Sequence, residues 1–450
     1  MAEMSLHKYQ WQGVQFLMDN PRSILADEMG LGKTAEAIKA VAETHSDKVL
    51  IICPNSVKYV WRDEIAKWSG DPFDSIAVYT GNALDMYDDH KWYIMNYEAM
   101  RLERNKPLAC ERWDAVIIDE AHRIKNRKAA VTKSVKQVAG DRVWLLTGTP
   151  ILNTPDELWS LLNYLFPKTY TSYWRFVDTY MEVWDSPWGK QLVGTRNLDH
   201  LAREVADIML RRTKKDVMEQ LPEKVYLNVP VQLLGEQRRV YDQMREQFIA
   251  ELGDTDILVA PTVLAQLTRL KQIATDPSIL TEGGTEVLIP SAKVEVLKEL
   301  LADILAQPGK KVVIFSQWSR MCARLAEELK CYNPVVFTGN TKESARASVV
   351  EDFQTNPDTR VFIGTIGAAG VGITLTAADT VIFTDKVWTP AYMVQAEDRV
   401  YARMNDLHGA TIVSLTAEDT IEQQIEKLLA SKADIARTVI DRHRLSEILK

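Results

Sequence analysis

Cysteine is scarce: Cys53, Cys110, Cys322 and Cys331 are the only four in 450 residues, and no two form a CxxC pair. The seven histidines do not cluster with them, so the spacing argues against a disulfide framework and the common zinc sites. Reduced thiols in a cytosol-like compartment are expected. Long hydrophobic runs are missing too. No apolar stretch reaches the roughly 18 residues that a membrane span requires, so no membrane partner is expected. The first residues show no basic segment followed by an apolar run, so no secretory signal is read there. Positive charge is not in excess either. Lys and Arg number 54 against 62 Asp and Glu, a net charge of -8. That balance counts against a protein that coats nucleic acid by its overall charge. Local basic runs remain at Arg123-Ile-Lys125-Asn-Arg127-Lys128 and at Arg211-Arg212-Thr-Lys214-Lys215. Each reads equally well as an ordinary solvated face.

What is present is enough to build cores: 46% of residues are hydrophobic and 26% charged. At roughly 150 residues per domain, the length corresponds to about three domains or two large ones. Two stretches alternate short apolar strands with amphipathic helices. The first has strands at 23–26, 49–53, 76–79, 92–95, 115–118 and 143–146, with helices such as 35–43 and 57–68 between them. The second has strands at 312–315, 335–337, 361–363, 381–383 and 411–415, with helices at 321–329, 344–353 and 390–403. Such alternation predicts α/β lobes, each a parallel sheet covered by helices on both faces. The middle reads as mainly helical, at 157–165, 198–209, 236–251 and 263–273, and the end as one more amphipathic helix, 420–439.

The apolar strand Ile24-Leu25-Ala26 runs into Asp27-Glu28-Met29-Gly30-Leu31-Gly32-Lys33-Thr34 and then a helix. The strict phosphate-loop pattern has glycine where this chain has Asp27, but its physical core is kept. Gly30 and Gly32 let backbone N–H groups close around phosphates at a helix N-terminus. Lys33 can reach the β- and γ-phosphates of ATP, and the Thr34 hydroxyl can bind Mg²⁺. A glycine turn followed by a chance lysine is the competing reading. A second apolar strand, Val116-Ile117-Ile118, ends in Asp119-Glu120-Ala121-His122. Two carboxylates at a strand end suit Mg²⁺-assisted hydrolysis, with Asp119 on the metal and Glu120 acting on the attacking water.

At these residues the chain resembles the Swi/Snf-type ATPases, the chromatin-remodeller branch of superfamily two helicases. The ordered match runs along nearly the whole chain. Tyr9-Gln10 resembles the Q motif that reads adenine, and the family's own phosphate loop accounts for Asp27. VIIDEAHRIKN (116–126), LLTGTPILN (145–153), LRRTKKDV (210–217), VIFSQW (313–318), GAAGVGITLTAAD (367–379) and QAEDR (395–399) follow in family order. The resemblance implies two RecA-like lobes with the nucleotide between them. Residues 1–165 would form the ATP-binding lobe and 166–290 helical insertions and the link. Residues 291–416 would form the second lobe and 417–450 a C-terminal brace helix. It places Tyr9, Gln10, Gly30, Gly32, Lys33, Thr34 and Gly370 on the nucleotide, and Lys33, Glu120, Gln395, Arg399 and Arg403 in catalysis. One departure stands out. The family usually has a second arginine three residues after the first, where this chain has Ala402. Arg403, one position later, keeps to the same helix face and either replaces it or is a surface arginine.

The resemblance also implies a nucleic-acid track, most naturally for double-stranded DNA. It would run past Asn96, Tyr97, Arg123, Lys125, Asn126, Gln317, Thr365 and Trp388. Such contacts, made mainly to phosphates, carry little sequence information, and each residue singly could be structural. The expected function is a DNA-dependent ATPase that translocates on duplex DNA and remodels protein–DNA or branched structures. A strand-separating or annealing helicase is the runner-up, and an ATP-gated DNA clamp the rival from another class. No bromodomain-like, finger-like or histone-binding segment is read in the chain. That economy points to a cytoplasmic protein of bacterial or viral origin.

Overall fold

The computed structural model describes residues 5–425 except 82–88, 152–153, 187–188, 218–223, 248, 253–255, 260–262, 281–288, 370–372 and 402–408. The described residues fall into two compact units, the first running to Val217 and the second starting at Lys224.

In the first unit, seven described strands form one sheet in which every pairing is parallel. They are β1 (Arg22–Leu25), β2 (Val49–Cys53), β3 (Ile76–Val78), β4 (Trp92–Asn96), β5 (Trp113–Asp119), β6 (Gly140–Leu146) and β9 (Met209–Leu210), in the order β3-β4-β2-β5-β6-β1-β9. All five residues of β2, Val-Leu-Ile-Ile-Cys, are buried. That is what a strand covered on both faces requires, and it is why the strands read as unbroken apolar runs. Helices α1 (Lys8–Asp19) and α2 (Lys33–Glu43) flank β1 in sequence. The core joins Ile24, Leu50, Ile52, Val116, Ile118, Val143 and Leu145 to residues of helix Glu157–Leu165. Each such burial is worth about 1.5–3 kcal/mol.

Because the strands are parallel, their C-terminal ends share one edge. Register makes this sharper: Leu25 pairs with Leu146, and Leu146 with Asp119. The phosphate loop and the acidic pair therefore start level, two strands apart. At the usual strand spacing that is roughly 10 Å.

The second unit has a sheet of the same kind. Its strands are β10 (Lys224–Val231), β13 (Val312–Ser316), β14 (Val335–Phe337), β15 (Val361–Thr365), β16 (Thr380–Phe383) and β17 (Ala410–Ala417). They pair in parallel in the order β10-β17-β16-β13-β15-β14. Helices Gly235–Gln247 and Val263–Thr275 contribute a separate small core around Val240, Tyr241, Met244 and Ile273.

The middle of the chain is less purely helical than its sequence suggests. It contains two antiparallel hairpins, β7 (Met181–Ser186) with β8 (Gly189–Thr195) and β11 (Ile249–Leu252) with β12 (Asp256–Val259). Helix Leu198–Val205 stops short of 209, and Met209–Leu210 pairs with β1 instead. The expected C-terminal helix lies mostly outside the described residues, which end at 425. No helix among the described residues is long and apolar enough to cross a membrane.

Candidate active site

Chain geometry explains the two glycines of the phosphate loop. Gly30 and Gly32 sit at φ 85° and 86°, in the left-handed region where side chains are strained. A Cβ on Gly32 would also lie 2.3 Å from Nε2 of Gln10. Gln10 is buried and donates to the Leu31 carbonyl at 3.1 Å, and the Tyr9 hydroxyl donates to the same oxygen at 2.9 Å. The Tyr9-Gln10 pair at the start of α1 thus grips the loop from behind. Lys33 opens α2, and its ammonium donates to the carbonyls of Asp27 (2.6 Å) and Glu28 (3.2 Å). Desolvation holds this lysine below its usual range, against the pull of Glu120, Asp27, Asp119 and Glu36. Those carboxylates belong to both halves of the sequence motif, so the fold brings the halves together. Thr34 follows Lys33 and is half-buried.

Asp27, the departure from the strict phosphate loop, is fully buried. Its carboxylate accepts from the Arg212 backbone N–H (2.8 Å) and from the guanidinium Nε (3.1 and 3.0 Å) and Nη2. The same guanidinium donates to Glu36 of α2 at 2.8 Å and to the Tyr9 carbonyl. Gly13 makes room, since a Cβ there would fall on the Glu36 carboxylate. Burial and the nearby Asp27 charge push the Glu36 carboxyl up to about 8. Arg211 donates to the carbonyls of Ala26 (2.7 Å) and Gly148 (3.0 Å), tying the phosphate loop to the TGTP loop. The backbone zips alongside: Ala26 N–H donates to Leu210 and Glu28 N–H to Arg212. The run Arg211–Lys215, read above as candidate surface charge, is therefore corrected. Arg212 and Lys214 are 8% and 2% exposed and brace the nucleotide loop. Removing one partner from a buried ion pair typically costs about 3–5 kcal/mol, because the other charge is left stranded.

The acidic turn is held as firmly. Asp119 ends β5, and its carboxylate accepts from the Trp61 indole (2.8 Å) and the Glu120 N–H (2.9 Å). Burial and the adjacent Glu120 charge push its carboxyl up to about 6. Glu120 has φ 51° and ψ 49°, an uncommon conformation for a side-chain-bearing residue. Such backbone strain costs of order 1–3 kcal/mol and clusters at active sites. Tyr97 supports this turn, its hydroxyl donating to the Asp119 carbonyl at 2.5 Å. His122 Nδ1 lies 3.2 Å from the Glu120 carboxylate. Thr34 and Asp119 offer hard oxygen ligands, and the crowded carboxylates favour a nearby cation, so the donor set fits Mg²⁺.

In the second unit, Gln395 and Arg399 are both buried, at the end of helix Pro390–Glu397 and just beyond it. The neighbouring Glu397 and Asp398 each bond Lys224 of β10 at 3.0 Å, and Glu397 accepts from Tyr226 at 2.9 Å. Lys224 and Tyr226 are positioning residues that the sequence reading missed. Arg403 and Gly370 lie outside the described residues.

The nucleic-acid candidates separate into supports and surfaces. Tyr97 is 1% exposed, which corrects its place on a surface track: its ring is core and its hydroxyl serves the acidic turn. Asn96 and Arg123 share Glu98, at 3.0 and 3.9 Å, and Arg123 and Asn126 are exposed. Lys125 is tied to Glu157 at 2.7 Å. In the second unit, Thr365 is level with Ser316, so Thr365 and Gln317 share the C-terminal edge of two adjacent strands. The buried Lys271, also missed, donates to Gln317 (3.2 Å) and to the Lys386 carbonyl (2.8 Å). It lies 5.1 Å from the ring of the partly exposed Trp388. A lysine inside a helix gives no sequence signal that it organises such a cluster.

Comparison with known proteins shows the family. Residues 9–279 match the SNF2-related domain, and residues 292–404 match the helicase conserved C-terminal domain. An uncharacterized ATP-dependent helicase of Mycoplasma genitalium is 28% identical over 97% of this chain and 42% of its own length. The chromodomain-helicase-DNA-binding protein 1-like of Danio rerio is 30% identical over 99% of this chain and 45% of its own. The DNA annealing helicase and endonuclease ZRANB3 of Mus musculus is 29% identical over 96% and 40%. This chain thus spans less than half the length of these relatives. A solved Sulfolobus solfataricus SWI2/SNF2 ATPase core in complex with dsDNA is 27% identical over 97% of both chains, with a TM-score of 0.46. The SNF2-related match alone covers more than half of the sequence and includes the phosphate loop and the acidic turn, and the chain belongs to the SNF2-related, helicase-like ATPases.

Proposed function

We propose that the protein is a DNA-dependent ATPase that translocates on double-stranded DNA and remodels protein–DNA or branched DNA structures. The observation that carries the catalytic half is the level strand edge, where the phosphate loop and the left-handed Glu120 turn emerge together. Loop N–H groups and Lys33 would bind the phosphates, and Tyr9 and Gln10 the adenine. Glu120 would orient and deprotonate the attacking water. Gln395, Arg399 and Arg403 would act on the transferring phosphate. Thr34 and Asp119 would hold Mg²⁺, which supplies charge neutralisation when bound. Residues 1–165 would be the ATP-binding lobe and 166–290 the insertions and link. Residues 291–416 would be the second lobe and 417–450 a brace, in a cytoplasm-like compartment. The DNA half of the proposal rests on the exposed Arg123, Asn126 and Trp388, on the partly buried Asn96, Gln317 and Thr365, and on the DNA-related names of the relatives.

A second reading, strand separation, is favoured by one specific feature. The β7–β8 hairpin carries Trp184, 56% exposed, close to its turn, as a separating wedge would. The first test is ATP turnover titrated with duplex, single-stranded, forked and four-way DNA, and with RNA. Duplex should stimulate at least as well as single strands. Raised salt should erase the stimulation, because each neutralised phosphate releases counterion. Turnover indifferent to every nucleic acid would leave the clamp reading in place of a motor.

A further inference from the structure

A cleft of about 370 Å³ opens in the first unit, where the segment after the acidic turn meets the insertion. That volume falls within the range of small-ligand sites. It is lined by Arg127 and Lys128 of that segment, by Trp159, and by Tyr173, Trp174 and Lys190 from the helix and hairpin of the insertion. Cations and ring faces are interleaved. The Arg127 guanidinium lies 4.0 Å from the Tyr173 ring centroid, and the Lys190 ammonium 5.4 Å from that of Trp174. Trp174 is 45% exposed, so its indole is available.

Two polar atoms of the lining residues are buried and unpaired. The indole N–H of Trp159, a residue 8% exposed, has no hydrogen-bond partner among the described residues, and neither has one Asp156 carboxylate oxygen. The other Asp156 oxygen accepts from the Tyr173 hydroxyl at 2.8 Å, and the second carboxylate, Glu157, is engaged by Lys125 at 2.7 Å. One unpaired donor and one unpaired acceptor thus lie beside flat rings and the cations that rest over them.

Ring faces stack bases and cations track phosphates in single-strand binding sites. An unpaired donor and acceptor complement the edge of a base that has lost its Watson–Crick partner. A base inside a duplex cannot reach such a cleft unless it leaves the stack. We propose that this cleft binds an unpaired nucleotide of a DNA strand, so that the motor recognises gaps, bulges and branch points. The inference rests on the DNA-motor reading above. An acidic peptide would satisfy the cations but would leave the ring faces and the unpaired donor and acceptor unused.

The test compares a continuous duplex with one carrying a single bulged 2-aminopurine, for the full chain and for Trp174→Ala, Trp174→Phe and Arg127→Ala. Wild type should bind the bulged duplex roughly tenfold more tightly and quench the 2-aminopurine, as one base–aromatic stack provides. Trp174→Ala should erase both effects, and Trp174→Phe should retain most of them. Arg127→Ala should weaken the preference, with turnover on continuous duplex unchanged in all three. Equal wild-type affinity for the two duplexes would overturn the inference, as would a Trp174→Ala loss shared equally between them. An acidic peptide that competes for the cleft where the bulged strand does not would also overturn it. If continuous duplex fails to stimulate ATP turnover at all, the functional reading has failed. If it stimulates while the bulge preference is absent, this inference alone has failed.

Discussion

Glu120→Gln is expected to bind ATP and hydrolyse it about 10²–10⁴-fold more slowly than wild type, the usual contribution of a positioned general base. The amide keeps the size of the carboxylate and the shape of the turn. That turn is fixed from outside the side chain, by Tyr97 on the Asp119 carbonyl and by Trp61 on the Asp119 carboxylate. Binding should survive because, on the proposed reading, the loop and Lys33 would hold the phosphates and Glu120 would not. Lys33→Ala should fail differently, losing ATP affinity along with turnover, because it removes the cation that would face the phosphates. Fluorescent-ATP binding and single-turnover hydrolysis separate the two defects. Near-normal turnover in Glu120→Gln would remove Glu120 from catalysis.

The second large effect is expected at Arg399. An arginine that stabilises charge on a transferring phosphoryl group contributes roughly 10³–10⁵-fold to kcat. Arg399→Ala should therefore nearly silence hydrolysis while leaving the KM for ATP within a few-fold. Its backbone carbonyl accepts from Leu375, and its neighbours Glu397 and Asp398 are held by Lys224, so these anchors of the segment do not involve the guanidinium. An unchanged melting temperature would separate lost chemistry from unfolding. Arg403→Ala on the same assay decides the displaced arginine. A loss comparable to that of Arg399→Ala makes it a second finger, and wild-type turnover makes it a surface residue. If Arg399→Ala itself keeps most of its activity, the QAEDR segment has another role.

Much of this was legible in the sequence, and the exceptions have physical causes. Strands β1, β2, β5 and β6 are buried on both faces, so they appear as unbroken apolar runs that end at the chemistry. Strand β10 hides because it is an edge strand. Its residues are mostly exposed, and Pro230 lies within it, which demotes a sequence to edge strand or loop. Strand β9 is two residues long, and Met209-Leu210 continue the apolar periodicity of the preceding helix. The β7–β8 hairpin did leave a signal, the turn-forming Ser-Pro-Trp-Gly between β-favouring residues.

At the site, Gly30, Gly32, Lys33, Asp119 and Glu120 stand out in the sequence by residue type and spacing, and the fold brings their two segments to one strand edge. Arg212 could not. A basic run looks solvated until the fold reveals Asp27 and Glu36, one in the phosphate loop and one a turn further into α2. Tyr97 misled for the opposite reason. An aromatic after a strand can face solvent or core, and only its bond to the Asp119 carbonyl decides.

Movement along an intact duplex is read out by a triplex-forming strand laid on that duplex, with a simple fork as the comparison. With ATP, the third strand should be displaced while the duplex beneath stays paired, Glu120→Gln should displace none, and the fork should remain largely annealed. Efficient ATP-driven separation of the fork, with no displacement from the triplex, would contradict duplex translocation and establish strand separation in its place.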